Sequence, residues 1–260
     1  MEFKDIIFEK KDGVAKITIN RPEKLNAFTT ETVMEIVKAL EDVELDRTIG
    51  VVVITGAGNR AFCVGGDAAD SPGGAGYRPE MLVWVAKLHA MIRKVPKPVI
   101  AAVNGYAIGG GHVMHIVCDL SIASETARFG QAGPRVGSYD AGFGAGYLAR
   151  VVGEKKAREI WFLCEQYSAQ EALEMGLVNK VVPPDKLEEE VNLWCKKILA
   201  LSPTALKVLK QSFNLETDHI YGVEAVALSG VWLYYQTDEA MEGRNAYLEK
   251  RPTDFMKYRK

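Results

Sequence analysis

Short apolar runs rich in β-branched residues, each followed by a turn, dominate the first half of the chain. The segments 6–9 and 14–20 flank the turn KKDG and predict an antiparallel strand pair. The run VVVIT at 51–55 is almost wholly apolar, which is typical of a strand covered on both faces. The run VIAAV at 99–103 also leads into a glycine turn, and a weaker unit spans 120–130. We therefore expect stacked parallel strands whose turns lie at one edge of a sheet.

Other segments of the chain have apolar residues at helical spacing. A threonine pair at 29–30 offers an N-cap, and apolar residues then recur at intervals of three and four. These residues are Val33, Ile36, Val37 and Leu40. Further helices are expected at 81–94, at 144–152 and through most of 184–250. The stretch 222–235 is more apolar than an exposed helix requires, so we expect it to pack either against another subunit or back on its own domain.

Composition narrows the class of protein without assigning a function. The 260 residues suffice for one large domain or a domain with an appendage, and 48% apolar residues is normal for a globular protein. A net charge of -2 with scattered lysines and arginines argues against a dedicated nucleic-acid binder. No apolar run is long enough for a membrane span, and the charged N-terminal segment lacks a signal-peptide core. The four cysteines form no CxxC pair, so we expect reduced, mostly buried thiols and a cytoplasmic protein.

Two glycine-rich turns and one carboxylate are the features most suited to chemistry. Gly65 and Gly66 lie in FCVGGD, and Gly109 to Gly111 lie in YAIGGG ahead of an apolar, helix-like segment. Backbone N–H groups at a helix start lack intrahelical partners, so two such turns on neighbouring strands can direct two donors at one oxygen. Either turn taken alone is better explained as an ordinary tight turn. Asp140 follows in a further glycine-rich stretch, where it either caps the turn or serves the site.

Common nucleotide, nucleophile and metal motifs are absent from the sequence. There is no GxxxxGK[ST], no GxGxxG between a strand and a helix, and no GxSxG. His112 and His115 lie three residues apart, but no Cys, Asp or Glu nearby completes a ligand set. We therefore expect no metal site, and we expect these histidines to pack or to form hydrogen bonds.

Six stretches spread over essentially the whole chain are similar to one family, in that family's order. They are RPEKLNAF, AFCVGGD, KPVIAAVNGYAIGGG, CDLSIAS, FGQAGPRVG and the run from ARVVGEKK to NKVVP. With them the chain resembles the crotonase (enoyl-CoA hydratase/isomerase) superfamily. The resemblance implies an α/β fold in which repeated ββα units form a right-handed spiral, followed by a helical trimerisation region. It assigns 1–200 to the spiral core and 201–260 to oligomerisation, in a homotrimer or a hexamer built as a dimer of trimers.

The resemblance also implies an acyl-CoA ligand and no tightly bound cofactor. The thioester oxygen lies between two backbone N–H groups, which at the matching positions belong to Gly66 and Gly110. The matching CoA contacts are Lys24, Leu25, Ala27, Asp67 and Ala68, with Lys250 contributed by an adjacent subunit.

Two substitutions exclude the commonest reaction of the family. The ordinary hydratases use two glutamates, and the matching positions here hold Val113 and Gly133. Adding water to an enoyl-CoA needs a general base and a general acid, and neither residue can serve as one. What stays open is an atypical hydratase or isomerase that uses Asp140 alone, or a non-catalytic member that binds acyl-CoA or RNA.

The segment GQAGPRVGSYDAGFG resembles two related branches of the family. One is 2-ketocyclohexanecarboxyl-CoA hydrolase, which opens a ring with water, and the other is 1,4-dihydroxy-2-naphthoyl-CoA synthase of menaquinone biosynthesis, which closes one. Both reactions pass through a thioester enolate beside a second carbonyl. The resemblance makes Asp140 the acid/base, with Ser138 bonded to it or to the substrate. Tyr235 from a neighbouring subunit, or Tyr77 in a loop at 71–77 expected to be mobile, donates to the second carbonyl.

One further match and one departure decide between the two branches. Residues matching a bicarbonate pocket of some synthases are Gln131, Gly133 and Trp161. In a hydrolase this pocket would hold water or stay empty. The synthases carry a Gln after the GGD and basic residues in the following loop, where this chain has Ala68, Ala69 and Ser71. A loop without those cations is poorly matched to a substrate with an extra carboxylate, so we expect the ring-opening hydrolase.

Overall fold

The structure is a computed structural model that describes residues 2–70 and 78–259. The predicted loop at 71–77, with its candidate Tyr77, lies outside the described residues. The strands are β1 (Ile6–Lys11), β2 (Val14–Ile19), β3 (Val51–Gly56), β4 (Ala61–Cys63), β5 (Val99–Val103), β6 (Tyr106–Ile108), β7 (Leu120–Ser124), β8 (Arg128–Gly130), β9 (Gln166–Ser168) and β10 (Lys180–Val182).

The helices alternate with the strands and then form the C-terminal part alone. They are α1 (Thr30–Leu45), α2 (Pro79–Lys94), α3 (Gly110–Val117), α4 (Gly133–Val136), α5 (Leu148–Val152), α6 (Glu154–Leu163), α7 (Ala169–Glu174), α8 (Leu187–Leu199), α9 (Pro203–Leu215), α10 (Ile220–Tyr234) and α11 (Asp238–Glu249). The chain is therefore an α/β protein, as the strand and helix patterns predict.

Two parallel-rich sheets carry the repeated unit. The larger sheet has the order β1-β2-β3-β5-β7-β10, and only its β1–β2 hairpin is antiparallel. The smaller sheet has the order β4-β6-β8-β9. In each of the pairs β3–β4, β5–β6 and β7–β8, the first strand joins the larger sheet, the second joins the smaller one, and a helix follows. The predicted ββα repetition and the common edge for its turns are confirmed.

Strand β3 is buried on both faces because separate layers cover the two sides of the larger sheet. Val52 and Ile54 face the main core, to which the buried stripe of α1 also belongs. Val51 and Val53 face a second cluster that includes Leu187 of α8. Alternate strand residues point to opposite faces, so an all-apolar strand satisfies both layers.

Helix α1 begins where the threonine pair predicts. The Thr29 hydroxyl accepts a hydrogen bond from the Thr32 N–H at 3.2 Å, and the Thr32 hydroxyl accepts one from the Thr29 N–H at 3.0 Å. This reciprocal cap satisfies donors that the first turn leaves unpaired. The predicted stripe of Val33, Ile36, Val37 and Leu40 is fully buried.

Helix α10 folds back on its own chain. Its buried residues Glu224 and Val231 face α2 and the glycine-rich segment after Asp140, which confirms one of the two packing alternatives. The opposite face leaves Val226 75% exposed and Leu233 68% exposed. Packing of that second face against another subunit stays a prediction, as does the division at residue 200.

The prediction of a helix at 144–152 is wrong for the first half of this segment. Residues Phe143–Tyr147 form a π-helical turn, and only Leu148–Val152 is α-helical. The N–H groups of Gly142 and Gly144 donate to the Asp140 carboxylate, so they are withdrawn from a regular helical ladder. The same bonds shape the candidate site.

The structure can be compared with two predictions made from composition, on the cysteines and on membrane spans. All four cysteines are free and buried. None of the helices in the described part of the chain combines the length and apolar character that a membrane crossing requires.

Candidate active site

A cavity of about 130 Å³ lies between the glycine turns, the segment around Asp140, and helices α2 and α10. Its apolar wall comes from Phe28, Val64, Leu82, Val85, Ile108, Val136, Leu228 and Val231. Asp140 is the one carboxylate among the described residues that line it, and within this part of the chain no lysine or arginine lines it. The cavity therefore combines an apolar lining with a single acidic side chain.

Most of the predicted catalytic residues line this one cavity. They are Gly66, Gly110, Gln131, Gly133, Ser138, Asp140, Trp161 and Tyr235. The predicted CoA contacts are not among the residues that line the cavity. The assigned roles stay predictions.

The two glycine turns touch each other through their backbones. Gly65 has a φ of +90°, and a Cβ atom there would lie 3.0 Å from the backbone nitrogen of Gly110. A Cβ at Gly110 would lie 2.8 Å from the ring of Phe28. Both positions therefore require glycine, since a side chain would force the turns apart.

Each turn presents its backbone for a defined reason. Gly110 is the first residue of α3, so its N–H has no acceptor within the helix. Gly66 forms an isolated β-bridge with Phe28, whose N–H donates to Gly65 and whose carbonyl accepts from Asp67, both at 2.8 Å. This arrangement holds the two turns side by side at the cavity wall, as an oxyanion-binding pair requires.

Asp140 both caps its turn and lines the cavity, so the two readings of this residue are compatible. One carboxylate oxygen accepts from the Gly142 N–H at 2.9 Å and from the Gly144 N–H at 3.0 Å. A Cβ at Gly144 would lie 2.8 Å from the Asp140 carboxyl carbon, so glycine is needed there too. The capping bonds fix the carboxylate at the wall of the cavity.

Ser138 and Tyr235 form a hydrogen-bonded pair at the cavity. The Ser138 hydroxyl lies 2.7 Å from the Tyr235 hydroxyl, so its partner in the structure is Tyr235 rather than Asp140. Tyr235 lines the cavity of its own chain, because α10 folds back over α2, and its reach to a neighbouring subunit's site stays a prediction. Two hydroxyl groups therefore enter the same cavity as Asp140.

The residues predicted to form a bicarbonate pocket are engaged with the protein. The indole N–H of Trp161 donates to the Gly144 carbonyl at 2.7 Å. The Gln131 amide nitrogen lies 3.1 Å from Nδ1 of the buried His112. His115 is also buried and lies 3.2 Å from the Ser121 hydroxyl, so both histidines pack and form hydrogen bonds as expected.

The predicted CoA strip is held by two unusual backbone positions and one ion pair. Leu25 and Asn26 have φ values of +52° and +56°. The buried Asn26 amide donates to the Ala57 carbonyl at 3.0 Å and to the Ala61 carbonyl at 2.7 Å. Arg21 binds the Asp67 carboxylate at 3.0 Å and also donates to the Ala27 carbonyl. Of the other predicted contacts, Lys24 and Lys250 are exposed.

Sequence reasoning missed a buried ion pair beside the cavity. His89 Nδ1 lies 2.6 Å from a carboxylate oxygen of Glu224, and their side chains are only 3% and 5% exposed. It also missed Tyr139, which lines the cavity and whose pKa is raised by burial. The spacing of Leu82, Val85 and His89 along one face of α2 is the signal that places the histidine next to the cavity.

Comparison with known proteins agrees with this architecture. Residues 9–258 match the family model of enoyl-CoA hydratase/isomerase. An enoyl-CoA hydratase from Mycobacterium avium subsp. paratuberculosis K-10 is 30% identical, with a TM-score of 0.86 over 98% of this chain and 99% of that one. A monofunctional enoyl-CoA isomerase from M. smegmatis is 30% identical, with a TM-score of 0.71 over 82% of this chain and 94% of that one. A methylmalonyl-CoA decarboxylase in complex with 2-nitronate-propionyl-CoA is 26% identical, with a TM-score of 0.84 over 98% of this chain and 99% of that one.

Proposed function

The chain belongs to the enoyl-CoA hydratase/isomerase family, whose members are acyl-CoA enzymes, and on that premise we propose that it opens the ring of a cyclic β-ketoacyl-CoA with water. The observation that carries the proposal is the cavity lining, which has Asp140 as its one carboxylate and lacks lysine and arginine among the described residues. Such a lining suits an uncharged, hydrocarbon-rich acyl group and a single acid/base residue.

The positions of the family's two hydratase glutamates support a reaction other than water addition to a double bond. Val113 is buried in α3 and does not line the cavity, and Gly133 lines it without a side chain. A conventional hydratase needs both a base and an acid at these places. The remaining groups are suited to chemistry at a thioester enolate instead.

The glycine pair supplies the binding site for the charge that develops. The thioester oxygen accepts hydrogen bonds from the N–H groups of Gly66 and Gly110, which stabilise the enolate form of the substrate. A preorganised donor of this kind contributes roughly 100-fold to 1,000-fold in rate. These two neutral donors bind the oxygen without a positively charged side chain.

Asp140 moves the protons of the proposed reaction. It takes a proton from water while the water oxygen bonds to the ring ketone carbon. The resulting alkoxide re-forms a carbonyl as the bond to the thioester α-carbon breaks, and the electron pair of that bond becomes the enolate. Asp140 then returns its proton to the α-carbon. The product is an open-chain acyl-CoA with a terminal carboxylic acid, which releases its proton to the solvent, and one water has been added.

Ser138 and Tyr235 bind the second carbonyl. Their hydroxyl groups lie 2.7 Å apart at the cavity, so one can hold the other while it donates to the ring ketone. This donation stabilises the alkoxide that forms when water adds. The decarboxylase among the similar structures also breaks a C–C bond beside a thioester, which is the class of step proposed here.

Ring closure is the second candidate, because the same enolate and carbonyl can form the bond that hydrolysis breaks. The grouping of Gln131, Gly133 and Trp161 at one cavity favours it, since this trio matches a bicarbonate pocket of the synthases. Against it, the Trp161 N–H already donates to the Gly144 carbonyl. The lining also offers no cation for the extra carboxylate of a succinylbenzoyl group within the described residues.

Product analysis with two substrates separates the candidates. Incubation with 2-ketocyclohexanecarboxyl-CoA should yield pimeloyl-CoA, detected by mass spectrometry with one oxygen from labelled water. Formation of dihydroxynaphthoyl-CoA from succinylbenzoyl-CoA, without turnover of the ring ketone, would assign the synthase reaction. Binding of these acyl-CoA esters without turnover of either would favour a non-catalytic role, and turnover of crotonyl-CoA alone would favour an atypical hydratase.

We also propose that the chain assembles as a homotrimer or a dimer of trimers through residues 201–260. Large apolar side chains that are exposed in the single chain support this assembly. Phe213 of α9 is 77% exposed, and Val226 and Leu233 of α10 are 75% and 68% exposed. Sedimentation velocity should give a mass of three or six chains of 28.6 kDa, and a monomer at micromolar concentration would refute the assembly.

A further inference from the structure

The ion pair between His89 and Glu224 joins two helices at the cavity. His89 lies on α2 and Glu224 lies on α10, and the two charged atoms are 2.6 Å apart. Both side chains are almost fully buried. A buried ion pair is costly to desolvate and contributes little to stability compared with apolar residues of the same size. Its presence therefore calls for a role other than holding the helices together.

The pair lies at one end of the cavity wall. Along α2, Leu82 and Val85 line the cavity and His89 follows one turn later. Along α10, Leu228 lines the cavity and Glu224 precedes it by one turn. At the other end of the wall, Leu82 packs in a cluster with Val231 and Tyr235. The two helices thus run in opposite directions, and the ion pair closes the end that is opposite to Tyr235.

The loop that holds Asp140 packs directly on this pair. A Cβ atom at Gly142 would lie 2.9 Å from the Cα atom of Glu224. The Phe143 ring meets the His89 ring edge-on, with centroids 5.9 Å apart. Gly142 also donates to the Asp140 carboxylate, so the position of this carboxylate depends on a loop that rests on the pair.

Two carboxylates near His89 favour its protonated form. Burial alone lowers the pKa of His89, but the hydrogen bond and charge of Glu224, together with the charge of Asp140, raise it above its ordinary value. Arg93, one turn further along α2, lies over the same Phe143 ring at 5.1 Å.

We propose that His89, held by Glu224, is a positioning residue for Asp140: the two side chains support the loop that fixes the Asp140 carboxylate at the cavity wall. The inference rests on the proposed role of Asp140 as the acid/base. Because His89 does not line the cavity, it acts through Asp140 and not on the substrate.

A titration without substrate tests the coupling separately from the reaction. In protein with ¹³C-labelled histidine, NMR should show a His89 signal that titrates above pH 5. Burial keeps His112 and His115 neutral there, with a pKa of about 3 for His112 and well below the ordinary value for His115. The His219→Gln variant assigns the remaining signal to His89.

Asp140→Asn should lower the pKa of His89, because the neutral amide removes an opposite charge that raises it. The matched change Asp185→Asn, at an exposed position, should leave the His89 titration unchanged. An unchanged His89 titration in Asp140→Asn would overturn the proposal. A clear shift without turnover of any ring ketone would leave the coupling in place and reject the proposed function alone.

The double variant His89→Gln/Glu224→Gln tests the consequence for the reaction. Two amides can replace the buried pair with a neutral hydrogen bond, so the fold has a substitute contact. We expect kcat for the ring ketone to fall roughly tenfold or more with KM nearly unchanged, since proton transfer and not binding is affected. Wild-type kcat in the folded double variant would contradict the inference.

Discussion

The hydroxyl groups of Ser138 and Tyr235 lie 2.7 Å apart across a sequence separation of 97 residues. Ser138 follows α4 in the glycine-rich stretch, and Tyr235 is the C-cap residue of α10. The bond therefore fastens the end of α10 beside the cavity.

Replacing Tyr235 by phenylalanine tests the role of this pair. The change removes one hydroxyl and keeps the ring, so the packing of α10 against Leu82 is retained. We expect kcat for the ring ketone to fall roughly 100-fold, because the alkoxide loses its donor. Tyr234→Phe is the matched control, since Tyr234 is the neighbouring tyrosine of α10 and does not line the cavity. Equal activity of the two variants would remove Tyr235 from the mechanism.

Asp140→Asn should abolish turnover while preserving the fold. The Asn side-chain oxygen can still accept from the Gly142 and Gly144 N–H groups, so the cap is retained. Loss of the proton-transfer group should lower kcat by roughly 100-fold to 10,000-fold. Steady-state kinetics and thermal unfolding measured on the same preparation separate the two effects. Substantial activity in a folded Asp140→Asn protein would exclude this residue as the acid/base.

Gly110→Ala tests the glycine pair at the oxyanion site. The added methyl group would meet the Phe28 ring at 2.8 Å and separate the two turns. Overpacking of this kind costs about 1–3 kcal/mol, and we also expect kcat to fall roughly 100-fold. Gly222→Ala is the control, because nothing lies within 4 Å of its added methyl group. At this exposed position of α10, alanine stabilises the helix by about 0.5–1 kcal/mol relative to glycine. Urea unfolding should therefore move in opposite directions for the two variants.

The sequence predicts the repeated units and the glycine turns because both follow from local patterns. A few neighbouring residues suffice to predict each of these features. They are the apolar run of β3, the threonine cap of α1 and the glycines at 65, 66 and 110. Resemblance to the family adds the residue types of the cavity. Neither source gives the path of α10, which brings Tyr235 to the cavity of its own chain.

Contacts between distant segments account for what the sequence does not predict. His89 and Glu224 are separated by 135 residues, and each alone is typical of a solvated helix face. The π-helical turn at Phe143–Tyr147 arises because the Asp140 carboxylate binds the N–H groups of Gly142 and Gly144, which competes with a regular helix. Both features depend on which side chains the fold brings to one loop.

The buried histidines of α3 predict how stability depends on acid. Burial lowers the pKa of His112 to about 3, and burial together with the nearby His112 places the pKa of His115 well below its ordinary value. Neither Nε2 atom has a hydrogen-bond partner among the described residues. Below an unfolded pKa of about 6.5 the unfolded chain therefore binds protons that the folded chain does not. The free energy of unfolding should fall as pH falls through this range, by up to about 1.4 kcal/mol per pH unit for each histidine.

Urea unfolding between pH 4 and 6.5 measures this dependence. His112→Asn should flatten the slope, because a side chain that does not titrate replaces one that the unfolded chain protonates and the folded chain does not. Asparagine can still accept from the Gln131 amide, so the hydrogen bond on the cavity side has a substitute. His219→Asn, at an exposed position, should leave the slope of the wild-type protein unchanged. A wild-type slope in His112→Asn would mean that protons enter the folded core at this pH, in conflict with a buried, neutral imidazole.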